Sequence, residues 1–218
     1  MRYQAALFDL DGTLLDTLED ILGAANYALR EMGYPERTLE EMRRFVGNGA
    51  EMQVRRALGE HATEENVARG LALYRPYYAA HCRTHTRPYE GVCALMERLR
   101  AAGMRVAVVS NKPDEAVKPL VAQYFGDLAE VAMGETAQRR RKPAPDMVRD
   151  TLAALDVARE NAVYIGDSEV DIETARNAGI PCISVSWGFR DEAQLVEAGA
   201  ACIAPNAQTL AALLLDEK

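Results

Sequence analysis

Five short, mainly apolar runs punctuate the chain: Ala5-Ala6-Leu7-Phe8, Arg105-Val106-Ala107-Val108-Val109, Glu130-Val131-Ala132-Met133, Ala162-Val163-Tyr164-Ile165 and Pro181-Cys182-Ile183-Ser184-Val185. Each is too short for a helix and none alternates with a polar face, the pattern of strands covered on both sides. Between them, over residues 92–102, 113–124, 145–155 and 169–178, apolar positions recur at helical spacing, and Gly103 and Gly179 stand where helices stop. Strand alternating with helix predicts an α/β fold, a parallel sheet core with helices on both faces.

Residues 17–87 break this rhythm with successive helical patterns and no convincing strand. They read as an inserted α-helical module, leaving 1–16 and 88–218 to form the sheet domain. Thr17 with Asp20 and Thr38 with Glu41 have capping-box spacing, Gly33 followed by Pro35 closes the first helix, and Pro76 is expected to kink or end the last one. The segments near Asp16 and Arg87 are candidate hinges.

Charge and composition narrow the function. The chain has 218 residues, 49% hydrophobic, with a net charge of −8, which disfavours polyanions and argues against nucleic acid. Cys82, Cys93, Cys182 and Cys202 form no CxxC pair and read as buried small hydrophobes in a reducing compartment. Asp9 interrupts the first apolar run before a signal-peptide core could form, and Pro205, Asn206, Gln208 and Thr209 break the uncharged stretch 198–215. The expectation is a cytoplasmic protein without a membrane segment.

Candidate chemistry lies at the strand ends. Asp9-Leu10-Asp11-Gly12-Thr13 follows the first run. Carboxylates at i and i+2 of a strand face opposite sides, so a turn at Gly12 is needed to bring both toward one point. A calcium loop counted from Asp9 would need Gly at Leu14 and Glu at Asp20, so that reading fails; a structural Asp-rich turn stays open. Ser110-Asn111 ends a second strand, Lys142-Pro143 precedes a helix, and Gly166-Asp167-Ser168-Glu169-Val170-Asp171 ends a third. Singly these read as a helix cap, a surface lysine and a capped first turn. In an open parallel sheet, however, residues beyond the carboxyl ends converge on one crevice. Clustered carboxylates resist ionisation unless a cation neutralises them, and an all-oxygen set suits Mg²⁺, with Lys142 and the Ser110 hydroxyl placed to hold a phosphoryl group.

These four signals, in this order and with a helical insert after the first, resemble the haloacid dehalogenase superfamily over nearly the whole chain. The resemblance implies a Rossmann-like core with an inserted α-helical cap. It makes Asp9 the nucleophile and a metal ligand, and Asp11 the general acid/base whose main-chain carbonyl also meets the metal. Asp167 and Asp171 complete or support the metal site, and Ser110, Asn111 and Lys142 grip phosphate. An acid at Asp11 favours phosphatase or phosphomutase chemistry over dehalogenation, because breaking down an aspartyl-phosphate needs a group that protonates the leaving oxygen and then activates water. The absence of lysine before Lys112 excludes the branch with a Schiff-base lysine in the cap. Ser168 stands where threonine is common.

Within the insert, Arg43-Arg44-Phe45-Val46-Gly47-Asn48-Gly49-Ala50 resembles a segment of bacterial phosphoglycolate phosphatases. Gly47, Asn48 and Gly49 could form a main-chain nest for a small substrate carboxylate; a plain glycine turn is the other reading. Arg139-Arg140-Arg141 reads as a solvated loop with anion steering as the alternative, and Trp187, in a Trp-Gly-Phe loop resembling one that borders the family's site, as core packing. The expectation is a Mg²⁺-dependent phosphatase for small phosphorylated metabolites, 2-phosphoglycolate first, working as a monomer or homodimer. A pyrophosphatase, a sugar-phosphate phosphatase and a phosphomutase of the same fold are the alternatives.

Overall fold

The computed structural model describes residues 2–216. In chain order, β1 (Ala5–Phe8) and β2 (Leu15–Asp16) lead into α1 (Leu18–Met32), α2 (Leu39–Phe45), α3 (Gly49–Leu58) and α4 (Glu64–His81). The chain returns through β3 (Arg87–Pro88) to α5 (Val92–Ala101), β4 (Arg105–Pro113), α6 (Asp114–Phe125), β5 (Val131–Glu135) and α7 (Asp146–Leu155). It ends with β6 (Ala162–Gly166), α8 (Glu169–Ala178), β7 (Cys182–Val185), α9 (Glu192–Glu197), β8 (Ile203–Ala204) and α10 (Ala207–Leu215). Two compact units result, one formed by residues 1–15 and 88–218 and the other by Asp16–Arg87. No helix among the described residues is long and apolar enough to cross a membrane.

The first unit is the α/β body. Its six strands run in the order β5-β4-β1-β6-β7-β8 with every pairing parallel. Ala5, Leu7, Ala107, Val109, Ala162 and Tyr164 point to one face, where they pack with Met147, Val148, Leu152 and Leu155 of α7 and Ala175 and Ala178 of α8. The alternate residues Ala6, Phe8, Val106, Val108, Val163 and Ile165 are equally buried, so both faces are covered and the strands carry no polar side. Phe8 pairs with Val108 on one side and Ile165 on the other. That register aligns the carboxyl ends of β4, β1 and β6, and chain order reverses about β1, the position where such sheets open a crevice.

The second unit is a helical insertion resembling a cap. The α1 and α4 helices pack together, and Tyr27, Tyr77 and His81 form a continuous ring stack with centroid separations of 4.3 and 4.0 Å. Thr38 and Glu41 form the anticipated capping box, and Gly33 closes α1 in the left-handed region. One expectation is corrected and a second narrowed. The Thr17 side chain does not cap α1, because buried Asp20 accepts hydrogen bonds from the His85 N–H (3.0 Å), the Thr86 N–H (2.9 Å) and the Thr86 hydroxyl (2.8 Å). Pro76 does not end α4, which continues to His81. β2 and β3 pair as a two-stranded ribbon where the chain leaves and re-enters the sheet, with Arg87 Nη2 3.0 Å from Asp16 Oδ2.

Two further differences belong to the sheet unit, and a third concerns the thiols of both units. β4 runs four residues beyond Val109, through a register shift that pairs Pro113 with Glu135, so α6 begins at Asp114. β8 was not anticipated, since two residues carry no periodic signal. Among the thiols Cys82 is buried, while Cys93, Cys182 and Cys202 are partly exposed and all four are free.

Candidate active site

The site grows from the end of β1. Asp9 donates its main-chain N–H to the Ile165 carbonyl at 2.8 Å, the last rung before the chain turns. Gly12 takes φ +91° there and donates its N–H to the Leu15 carbonyl at 2.9 Å, a conformation that side chains resist. The turn folds the Asp9–Thr13 segment over the ends of β4 and β6. Thr13 Oγ1 then reaches Asp167 Oδ1 at 3.0 Å, and the Phe189 N–H reaches Asp167 Oδ2 at 2.8 Å.

Lys142 lies at the centre, almost fully buried. Its Nζ is 2.7 Å from Asp9 Oδ1, 2.7 Å from Asp171 Oδ1 and 3.2 Å from the Tyr164 hydroxyl. Burial alone would depress this amine, but Asp171 and Asp9 more than reverse that and hold it well above the usual lysine range, as an ammonium. The Tyr164 hydroxyl donates its own hydrogen bond to the Val109 carbonyl at 3.2 Å, and burial lifts the phenol well above its normal range. Asp171 Oδ2 accepts from the Ser168 N–H at 3.2 Å and the Ser168 hydroxyl at 2.6 Å, closing a capping box at the start of α8.

Asp9, Asp167 and Asp171 each present a carboxylate oxygen within 4.8 Å of the other two, and all three are buried. Burial, reinforced by the charge of Asp171, pushes Asp167 up to about 7. Burial also raises Asp9, with Lys142 opposing and Asp171 and Asp167 adding to the shift. A cluster that struggles to ionise on its own, built of oxygen donors alone, could hold a hard metal ion.

Of the remaining predicted residues, Asp11, Ser110 and Asn111 belong to the same unit as this cluster, and Gly47, Asn48 and Gly49 belong to the insert. Ser110 is buried, and its Oγ accepts the Lys112 main-chain N–H at 3.1 Å. The Asn111 carboxamide clasps the Lys142 main chain, donating to the Lys142 carbonyl (3.1 Å) and accepting the Lys142 N–H (2.7 Å). Asp11, 19% exposed, receives a hydrogen bond from Lys112 Nζ at 2.7 Å. In the insert, Gly47 and Gly49 have φ of +114° and +81°, and α3 starts at Gly49. Arg56 spans that loop, donating to the Phe45 carbonyl (2.8 Å) and Asn48 Oδ1 (2.9 Å).

Sequence reasoning missed Lys112, Tyr164, Thr13 and the Phe189 N–H. Tyr164 had a signal, as the single polar tip in an otherwise aliphatic strand; the Phe189 N–H had only the resemblance of its Trp-Gly-Phe loop. Trp187 is not core packing: it is half-buried, and its indole N–H donates to the Thr13 carbonyl at 3.0 Å. Gly188 beside it lies so close that a Cβ there would overlap the Gly12 carbonyl oxygen and the Asp167 side chain. Of the arginine run, Arg140 pairs with Asp146 at 2.8 Å and Arg139 with Asp150 at 2.9 Å.

The sequence pattern of the haloacid dehalogenase-like hydrolases matches residues 6–185. The chain belongs to that hydrolase family. Among its haloacid dehalogenase-like relatives, a phosphoglycolate phosphatase of Pseudomonas savastanoi pv. phaseolicola is 32% identical over 96% of this chain and 79% of that protein. A Lactobacillus delbrueckii subsp. bulgaricus structure, provisionally named a phosphoglycolate phosphatase, is 42% identical with a TM-score of 0.96, covering 98% of this chain and 99% of the other. CbbY of Rhodobacter sphaeroides, solved in complex with phosphate, is 26% identical with a TM-score of 0.75 over 94% of this chain and 95% of that one. The chain is thus a haloacid dehalogenase-like hydrolase similar to bacterial phosphoglycolate phosphatases.

Proposed function

We propose that the chain is a Mg²⁺-dependent phosphomonoesterase acting on small phosphorylated metabolites, 2-phosphoglycolate first among them, through an aspartyl-phosphate on Asp9. The observation that carries this reading is the buried Lys142 ammonium 2.7 Å from Asp9 Oδ1, beside a three-carboxylate cluster at the end of the central strand. The names borne by the similar proteins support the substrate class.

In the first half-reaction an Asp9 carboxylate oxygen attacks phosphorus, the ester P–O bond breaks, and its electron pair leaves on the alcohol oxygen, which takes a proton from Asp11. In the second, Asp11 takes a proton from water, the water oxygen attacks phosphorus, and the Asp9–phosphorus bond breaks to return the carboxylate. Lys142 and the Ser110 hydroxyl hold the non-bridging oxygens. Asn111, by gripping the Lys142 main chain, fixes where that ammonium stands. Asp9, Asp167 and the Asp11 carbonyl would hold the metal, with Asp171 supporting them, and the ion would supply charge neutralisation for the phosphoryl group. The Gly47-Asn48-Gly49 loop receives the substrate carboxylate.

Phosphate release from 2-phosphoglycolate, pyrophosphate, hexose phosphates and nucleoside monophosphates, with and without Mg²⁺, tests the proposal. Preferred, Mg²⁺-dependent release from 2-phosphoglycolate is expected, and Asp9→Asn should abolish turnover while leaving the melting temperature within a few degrees. An active Asn variant sinks the aspartyl-phosphate. Preference for another ester removes the substrate assignment alone, and conversion of a hexose phosphate to its isomer favours a mutase.

A further inference from the structure

Lys142 is not the only buried lysine at this sheet end. The Lys112 side chain is 6% exposed, and its Nζ lies 2.7 Å from Asp11 Oδ1. Desolvating an ammonium is costly, so a lysine buried against an acid is a placed group rather than a surface ion pair that happens to form. Its main chain is held at both its N–H and its carbonyl, and a third contact steadies the neighbouring strand. The Lys112 N–H donates to Ser110 Oγ. On the neighbouring strand a Cβ at Gly134 would stand 2.6 Å from the Lys112 carbonyl oxygen. The Gly134 N–H in turn donates to Asp114 Oδ1 at 3.0 Å. The register shift between Val109 and Pro113 falls across this segment, and such irregularities re-aim side chains next to active sites. The two ammonium groups therefore divide the acids between them: Lys142 contacts Asp9 and Asp171, and Lys112 contacts Asp11.

We infer that Lys112 is a positioning residue for Asp11, fixing by its hydrogen bond to Oδ1 the orientation from which Asp11 delivers a proton to the departing alcohol oxygen. The inference rests on the acid/base role proposed for Asp11. A protonated carboxyl keeps an acceptor oxygen, so the contact is available in either protonation form. Small errors in placing a proton donor cost large factors in rate, which makes a dedicated orienting group worth its burial.

The discriminating readout is the leaving group. An alkyl alcohol must be protonated as it departs, whereas nitrophenolate leaves unaided. Lys112→Met, close in volume but uncharged, should lower kcat/KM for 2-phosphoglycolate at least about tenfold more than for p-nitrophenyl phosphate, in the direction shown by Asp11→Asn, with the loss in kcat. Lys112→Arg should recover part of it, and Lys112→Gln serves if the Met variant does not melt cooperatively. Equal losses on both esters mean a purely structural lysine and overturn the inference. So does a rise in KM for 2-phosphoglycolate at unchanged kcat, which would make Lys112 a substrate contact. If the unmodified protein hydrolyses neither ester, or Asp11→Asn does not discriminate between them, the proposed function falls and the inference with it.

Discussion

Gly188 shows how little freedom the residues around the acid cluster have. Its missing side chain is what lets the Trp-Gly-Phe loop approach the Gly12 carbonyl and Asp167, so that the Phe189 N–H can reach Asp167 Oδ2. Gly188→Ala should displace Asp167, destabilise the fold by about 1–3 kcal/mol through overpacking and weaken Mg²⁺ binding. Calorimetric titration and thermal melting check both effects, and a variant with unaltered Mg²⁺ affinity would contradict the close approach. At this scale the sequence was legible where chemistry sits at strand ends: Asp9, Ser110 and Asp167 could be placed together because the register aligns β4, β1 and β6. The Lys112–Asp11 pair and the clasp of Asn111 on Lys142 were not legible. They join residues 101 and 31 positions apart, and a shifted strand register sets which way those side chains turn.

Among the elements, local spacing succeeds where the partner is local and fails where it is distant. Thr38 and Glu41 find each other within one turn. Thr17 and Asp20 have the same spacing, yet Asp20 serves His85 and Thr86 from the far end of the insert. Such a carboxylate ties the first helix of the insert to its last segment. Asp20→Ala would leave two main-chain N–H groups and a hydroxyl without their acceptor, and should cost about 3 kcal/mol. Urea unfolding of the full chain measures it; a loss below about 1 kcal/mol would mean that water replaces the carboxylate. Pro76 is a similar lesson in the opposite sense: a local veto on helix is overridden when the rest of α4 packs against α1.

For the molecule as a whole, fold class was legible because alternating strands and helices leave few ways to arrange the chain, and the family because four short motifs in a set order resemble its pattern. The energetic state of the carboxylate cluster was not, since it depends on burial. Asp167 in the folded chain titrates at about 7 against an ordinary 3.8. Between those values the folded protein keeps a proton that the unfolded chain has released, so this group's effect on metal-free stability is an erosion that grows as pH rises from about 4 to about 7. A divalent cation needs the ionised carboxylate, so Mg²⁺ should raise the melting temperature more at about pH 8 than at about pH 5.5. Melting curves with and without Mg²⁺ at the two pH values decide this, and an equal increment at both would show that Asp167 is not a ligand.

The β2–β3 ribbon has a consequence for ancestry. Because the outgoing and returning segments are hydrogen-bonded side by side, the sheet meets a long excursion as though it were a tight turn, and loop-closure entropy grows only with the logarithm of whatever lies beyond. Exchange or trimming of the helical segment by recombination would therefore leave the strand register, and the acids that depend on it, in place. Two lineages of innovation, one in the insert and one in the chemistry, can proceed on the same scaffold at different speeds.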